Sequence, residues 1–276
     1  MAVIVLRIGL TPVAFALVSR AQSRFGNWIG GRLMGLPLTT GPFLLTVCLT
    51  ANRATAARAA AGVTGGQIAV VAFCCGYAHF ARRLRPGRAT VASLGIGLAA
   101  ELALSSISGI WATAAAVWLV IALSLALWPW PPSKERPTAN PDTGRQLPRA
   151  AMSTLIVATS STLVPLLGAR VAGAIASAPV LLSMMVPAAH RSGGPEAAAD
   201  IGRGTIVSMI GTIGFSAVLA TCLEHSAVLP SLLFAVATLV VLSVVAPQMD
   251  RLLERASGSV RRRAEPMLER ALDPGV

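Results

Sequence analysis

Charged residues inside apolar runs are the first candidates for chemistry in this sequence. Glu101 is the only acidic residue deep in an apolar run, and Arg7 lies near the start of another. A charge inside a membrane is costly unless it is paired or faces water. Two interpretations stay open. Glu101 is a coupling or substrate-binding carboxylate with Arg7 as its partner, or it is structural, either paired with Arg7 or reaching past Ser105 to the interface.

Prolines inside two apolar runs mark a second group of candidates. Pro37 and Pro42 lie in one run, and Pro179 and Pro187 lie in another. Each proline removes a backbone hydrogen bond, and the carbonyl that it frees is tolerated only against protein or a wet cavity. The residues that would line such a cavity are Thr39, Thr40, Gly41, Pro42, Gln67, Tyr77, Ser177 and Pro179. The alternative interpretation is an ordinary kink whose backbone groups are satisfied by nearby hydroxyls.

Recognisable catalytic motifs are absent from the sequence. It contains no HExxH pair, no P-loop, no GxSxG and no DxD-like carboxylate cluster. The cysteines all lie inside apolar runs, where packing is their more usual role: Cys48, Cys74, Cys75 and Cys222. We therefore predict that the chain is not an enzyme and has neither a metal site nor a cofactor.

The composition is that of an integral membrane protein. The 276 residues are 54% hydrophobic and only 12% charged, and the mean hydropathy is +0.70. A water-soluble protein would need far more polar surface, so the main partner is the lipid bilayer. The net charge of +12 does not indicate nucleic-acid binding, because the arginines lie between apolar runs and form no single stripe.

Apolar runs separated by polar or glycine-rich breaks predict nine membrane spans. The central one is closed by Trp128 and the prolines that follow it, and a Ser/Gly turn at Ser105 to Gly109 divides it from the preceding span. The predicted spans are Ala2 to Val18, Leu33 to Leu49, Ala59 to Phe80, Ala89 to Ile107, Ile110 to Trp128, Ala150 to Leu167, Val171 to Ala189, Gly202 to Leu223 and Ala227 to Ala246.

Basic residues give these spans an orientation, because positive charge is retained on the cytoplasmic side. With the N-terminus outside and the C-terminus inside, 19 of the 23 Lys and Arg residues face the cytoplasm, and only Arg7, Arg53, Arg58 and Arg170 do not. The 22 arginines against the single Lys134 are typical of a high-GC bacterial genome. We therefore expect a multi-pass protein of the bacterial plasma (inner) membrane.

Internal similarity indicates that the chain contains two related halves. At an offset of 142 positions the third span matches the eighth, pairing Ala56 with Ala198, Ala57 with Ala199, Gly62 with Gly204, Phe73 with Phe215 and Ala78 with Ala220. The second span resembles the seventh with one residue of slippage, pairing Arg32 with Arg170, Gly35 with Gly173 and Pro42 with Pro179. Four spans, one extra span and four related spans place the second half upside down relative to the first.

The predicted fold class is therefore an all-α polytopic membrane protein of about nine transmembrane helices, in which a central helix joins two inverted four-helix halves. The first half covers residues 1–108, and the central helix covers 109–132. A proline-rich cytoplasmic linker covers 133–149, the second half covers 150–247, and a basic cytoplasmic tail covers 248–276.

Each half resembles the GlpM family of small bacterial inner-membrane proteins. The resemblance rests on a span containing glycine and proline, followed by an alanine-rich entry into a long span with Gly and Phe. In the second half this entry reads Gly194, Pro195, Glu196, Ala197 and Ala198. In the first half the stretch from Arg53 to Ala61 takes its place. The resemblance implies a location in the membrane and a link to cell-surface polysaccharide production.

Two functions follow from these patterns. Inverted halves with proline-broken spans favour a secondary transporter or flippase of a small polar or lipid-linked solute. The family resemblance and the few polar groups favour a non-transporting membrane subunit that supports envelope polysaccharide synthesis or export. A water-accessible cavity between the halves and a paired buried charge distinguish the two, because a scaffold needs neither.

Overall fold

The computed structural model describes residues 24–129 and 165–248, together with Arg20 and Asp250, and all regular secondary structure in these ranges is helical. Four helical segments there are long and apolar enough to cross a membrane. Outside the described residues lie 1–19 with the first predicted span and Arg7, 21–23, 130–164 with the linker and most of the sixth predicted span, 249, and 251–276 with the tail. The chain is thus an all-helical, membrane-embedded protein.

The described helices are labelled here in chain order. They are α1 (Asn27–Met34), α2 (Thr40–Thr50), α3 (Arg53–Phe80), α4 (Pro86–Leu104), α5 (Ile110–Ala126), α6 (Ala169–Ala176), α7 (Val180–His225) and α8 (Val228–Gln248). Local signals fix several starts. The Asn52 side chain accepts a 2.8 Å hydrogen bond from the Thr55 amide and caps α3. Pro86 begins α4, where its missing N–H has no intrahelical role.

Helices α3 and α7 form the centre of the molecule and run antiparallel. Thr64 donates a 2.9 Å hydrogen bond to Ser216, whereas Cys74, further along α3, packs against Gly202, earlier in α7. The residue numbers therefore rise along one helix as they fall along the other. In each of the two segments that contain these helices, 78% of an apolar 18-residue stretch is buried inside the protein. Both helices therefore lie at the core.

Helices α4 and α8 lie at the periphery. Only 17% of the apolar 18-residue stretch in α4 is buried within the protein, and only 11% of the corresponding stretch in α8. Their outer faces expose large apolar side chains such as Leu98, Leu102, Leu233 and Phe234. A continuous apolar surface of this kind is stable against lipid and not against water. These two helices thus form the lipid-facing flanks of α3 and α7.

Two of the predicted spans are broken helices. The predicted span from Leu33 to Leu49 consists of α1, an irregular stretch over 35–39 and α2. The predicted span from Val171 to Ala189 consists of α6, an irregular stretch over 177–179 and the start of α7. Each of these predicted spans is therefore two helical pieces joined by an irregular stretch. The turn predicted between Ser105 and Gly109 is confirmed, and Gly109 adopts a φ of +91° there.

Helix α7 is itself interrupted at Gly194. This residue has φ 81° and ψ 179°, and Pro195 follows it. Pro195 cannot donate the backbone hydrogen bond that would continue the preceding helix, and the glycine accommodates the positive φ. The helix is therefore two arms, 180–193 and 195–225, and only the second arm is the long central helix that pairs with α3.

Close glycine contacts recur at the spacing found in the sequence. In α1, Gly31 abuts the backbone of Ile201 in α7, and in α6, Gly173 abuts the backbone of Ala59 in α3. Gly173 lies 142 positions after Gly31 in the sequence, and Ala59 lies 142 positions before Ile201. The two contacts are therefore related by the 142-residue offset, in which Gly173 corresponds to Gly31. The sequence comparison had paired Gly173 with Gly35, one helical turn away.

Candidate functional site

A cavity of about 50 Å³ lies where the two helix breaks meet. Its walls come from both breaks and from the facing sides of α3 and α7. The lining residues are Met34, Gly35, Leu36, Leu38, Thr39, Thr40, Gln67, Val70, Ser177, Ala178, Pro179, Val180, Leu181, Leu182, Met209 and Thr212. A water molecule needs roughly 10 to 15 Å³ of such space, so the cavity has room for a few waters or one small solute.

Five of the residues singled out from the sequence line this cavity. They are Thr39, Thr40, Gln67, Ser177 and Pro179. Gln67 comes from α3, Thr40 from the start of α2, and the other three from the two breaks. The structure thus places these five candidates around one cavity, and their role in binding a solute stays a prediction.

Gln67 and Thr40 are deeply buried without a described hydrogen-bond partner. Each is only 4% exposed, and both side chains line the cavity. The polar side-chain atoms of both residues keep some accessible surface. Because both residues line the cavity, the Gln67 amide and the Thr40 hydroxyl open onto it. Buried polar groups are almost always satisfied. These two therefore require water or a ligand in the cavity.

The backbone C=O and N–H groups of the helix ends at the cavity differ in whether side chains hydrogen-bond to them. On the carbonyl side, Thr212 donates a 2.6 Å hydrogen bond to the Gly35 oxygen. Ser177 donates to the oxygens of Gly173 at 3.0 Å and Ala174 at 2.9 Å. On the amide side, the residues that precede α2 and α7, Thr39 and Pro179, make no side-chain cap. The N–H groups of Gly41 and Val180 donate to the oxygens of Pro37 and Ala178, both at 2.8 Å, whereas those of Thr40, Leu181 and Leu182 have no described acceptor.

Gly41 and Pro42 do not line the cavity, although both were candidates. Pro42 is the third residue of α2. The amides on either side of Pro42, those of Gly41 and Phe43, donate to the oxygens of Pro37 and Thr39. Pro42 has no N–H to donate to the Leu38 oxygen in the same way, so the expectation that it frees a carbonyl stays a prediction. Pro37 and Pro179 are the prolines inside the two breaks at the cavity.

Tyr77 lies away from the cavity, in contrast to its prediction. Its hydroxyl oxygen lies 3.1 Å from Nδ1 of His190, and the two rings meet edge to face with centroids 5.9 Å apart. The pair joins the end of α3 to the first arm of α7. Its location has a simple reason: Tyr77 is ten residues beyond Gln67, or about 15 Å along the helix.

Glu101 is half-buried in the last turn of α4 and does not line the cavity. Its proposed partner Arg7 lies outside the described residues. The coupling and structural interpretations of this carboxylate therefore stay predictions.

Sequence reasoning missed two features. Thr212 lines the cavity, but a threonine in an apolar helix usually bonds to its own preceding turn, so its type alone gives no signal. The 142-residue offset did contain a signal, because it pairs Thr212 with Val70, and Val70 lies one helical turn after the candidate Gln67. The second feature is a buried ion pair in which Arg203 Nη2 lies 2.8 Å from Asp250 Oδ1. Arg203 had been assigned to the charged cytoplasmic side by the inside rule alone.

No family model matches this chain, and neither does any curated protein or solved structure.

Proposed function

We propose that this chain is a secondary transporter that carries a small polar solute across a membrane through the cavity between its two helix breaks. The observation that carries the proposal is the meeting of both breaks at one cavity lined by buried polar groups without partners. Irregular backbone at membrane depth is tolerated where it is buried in protein or lines a wet cavity, and transporters place their sites at such breaks.

Inverted halves are part of this proposal. Helices α3 and α7 are matched at the 142-residue offset and pack antiparallel. The reciprocal contacts of Gly31 with Ile201 and of Gly173 with Ala59 support a two-fold axis across the pair. Halves related in this way can rock against each other around a fixed site, which alternately opens the cavity to each side. The count of nine spans and the likeness of each half to the GlpM family belong to the same proposal.

The size of the cavity favours a small solute over a lipid-linked one. Pockets for drug-sized ligands are typically about 300 to 1,000 Å³, whereas this cavity holds about 50 Å³. A few-atom solute fits, and a lipid headgroup does not. The alternative function, a non-transporting subunit of an envelope polysaccharide machine, leaves the open amide of Gln67 and hydroxyl of Thr40 without a role.

The proposed orientation has the N-terminus outside and the C-terminus in the cytoplasm of a bacterial plasma membrane. Contacts between residues assigned to the same side support the alternation of the connections, and the inside rule alone decides which side is cytoplasmic. On the proposed outer side, Arg53 donates to the Ser226 oxygen at 3.2 Å, and Arg170 donates to the Ile107 oxygen at 3.5 Å. On the proposed inner side, Arg82 donates to the carbonyl oxygen of Pro129.

Solute entry into proteoliposomes tests the transport proposal. Vesicles containing the full chain are mixed with hyperosmotic urea, glycerol or sodium formate, and volume recovery is followed by light scattering. We expect at least one solute to enter faster than into empty vesicles, and Gln67→Met to slow that entry. Methionine is the matched residue at position 209 and keeps the volume. Ser93→Ala is the control, because the Ser93 hydroxyl bonds within α4. Identical entry into empty vesicles, wild type and Gln67→Met for every solute would contradict the proposal.

A further inference from the structure

We propose that the cavity between the helix breaks selects a small monovalent anion, of the size of chloride or formate. This inference rests on the transport proposal and adds the class of substrate. It follows from which hydrogen-bonding groups at the cavity are already used and which are still open.

The carbonyl ends of the two short helices at the cavity accept hydrogen bonds from hydroxyl groups. The carbonyl end of α1 accepts from Thr212, and the carbonyl end of α6 accepts from Ser177. The negative ends of these two short helices are therefore partly neutralised by hydroxyl hydrogens. No Asp or Glu is among the described residues that line the cavity, so the walls offer no carboxylate to bind a cation.

The donors are open. Helices α2 and α7 both begin at the cavity, and neither has a side-chain cap. Among the described residues, nothing accepts from the backbone N–H groups of Thr40, Leu181 or Leu182. A helix N-terminus carries about half a positive elementary charge, so two of them facing one cavity suit a single negative charge.

Gln67 gives the second, independent indication of a ligand. Its side chain is 96% buried, since 4% is exposed, and its amide opens onto the cavity without a described partner. The amide N–H₂ and the hydroxyl of Thr40 can both donate to an anion. The absence of Lys and Arg from the described lining keeps the binding weak enough for release, which conduction and transport both require.

Thermal unfolding of the purified full chain tests this inference directly. The probes are sodium chloride, sodium formate and sodium nitrate, each titrated against sodium gluconate at constant ionic strength, because gluconate is too large for the cavity. We expect a saturating rise in Tm with at least one small anion. Gln67→Met and Thr40→Val should each weaken the apparent affinity about tenfold or more, the loss expected for one hydrogen bond to a charged group. Ser93→Ala should leave it unchanged.

Two outcomes would overturn the anion inference. One is a Tm that is the same in gluconate and in every small anion. The other is an anion effect of equal size in wild type, Gln67→Met and Thr40→Val, which would place the binding elsewhere. If neutral urea or glycerol enters proteoliposomes in a Gln67-dependent way while the anions have no effect, the transport proposal stands and the anion selectivity is wrong. If no solute enters and no anion binds, both are wrong.

Discussion

Gly62 of α3 packs directly against the backbone of Arg170 in α6, so closely that no side chain fits between the two helices. Gly204 of α7 has the same relationship with Trp28 of α1, and both members are displaced by 142 positions. Without these contacts the short helices would not be held where their ends meet the cavity. Small residues that allow close backbone approach are a usual means of joining helices in membranes.

Replacing either glycine should therefore loosen a broken helix. We expect Gly62→Ala and Gly204→Ala each to lower the free energy of unfolding by about 1 to 3 kcal/mol, because the new methyl group overlaps a backbone carbonyl oxygen. The measurement is reversible unfolding in mixed micelles. Gly95→Ala is the matched control, since a Cβ at Gly95 meets nothing within 4 Å. Alanine there should be neutral or slightly stabilising, and equal losses at all three positions would refute the close packing.

The ion pair between Arg203 and Asp250 should be essential to the attachment of the end of α8. The two side chains are 9% and 5% exposed. We expect Asp250→Asn to lower the free energy of unfolding by about 3 to 5 kcal/mol, because it removes a charge that pairs with a buried arginine. The double variant Arg203→Met, Asp250→Leu should recover part of that loss in a double-mutant cycle. Additive losses would contradict the pairing, and exposed Arg191→Met serves as the control.

Much of the fold could be predicted from the sequence because membrane spans are recognisable as apolar runs. The positions of α3, α4, α5 and α8 follow from those runs alone. The helix breaks do not, because the apolar run continues through them: Leu36 and Leu38 stay apolar inside the first break. Gly and Pro indicated an interruption, but the sequence does not show that Pro37 lies inside the break whereas Pro42 lies in the first turn of α2.

The candidate site was predictable in part for a related reason. Thr39, Thr40, Gln67 and Ser177 are polar residues in apolar surroundings, and a polar side chain at membrane depth must find a partner or water. The same reasoning also selected Tyr77, because sequence cannot show that its partner is His190, 113 residues away. Long-range pairing of this kind, like that of Arg203 with Asp250, is set by tertiary packing.

Neutralising Glu101 tests its predicted coupling role. We expect Glu101→Gln to leave the protein folded and inserted, because the amide keeps the shape of the carboxyl group and most of its hydrogen bonds. Solute entry into proteoliposomes should then fall sharply, since the charge that a proton or cation would engage is lost. Poor accumulation that Arg7→Gln partly rescues would indicate a structural ion pair. Normal accumulation with normal solute entry would exclude both roles.

Cysteine labelling tests the orientation. In a variant that lacks the four native cysteines, we expect Ser226→Cys, in the turn between α7 and α8, to react with a membrane-impermeant maleimide added to intact cells. Ser133→Cys should react only after the cells are permeabilised, because the linker is predicted to be cytoplasmic. Labelling in the opposite sense would invert the orientation, and labelling of both sites in intact cells would refute the assignment of these segments to opposite sides.

Water access to the cavity is the most direct test of the proposed transport site. In the same cysteine-free background, Thr40→Cys and Gln67→Cys are treated with a small cationic methanethiosulfonate in membranes, and modification is read as a mass shift. Leu102→Cys, which is exposed on the lipid-facing side of α4, is the control, because thiols in hydrocarbon do not ionise and react slowly. We expect both cavity positions to react much faster than Leu102→Cys and to be protected by a solute that the protein transports. Reaction at both cavity positions as slow as at Leu102→Cys would show a dry, closed interior and would contradict a transport site between the helix breaks.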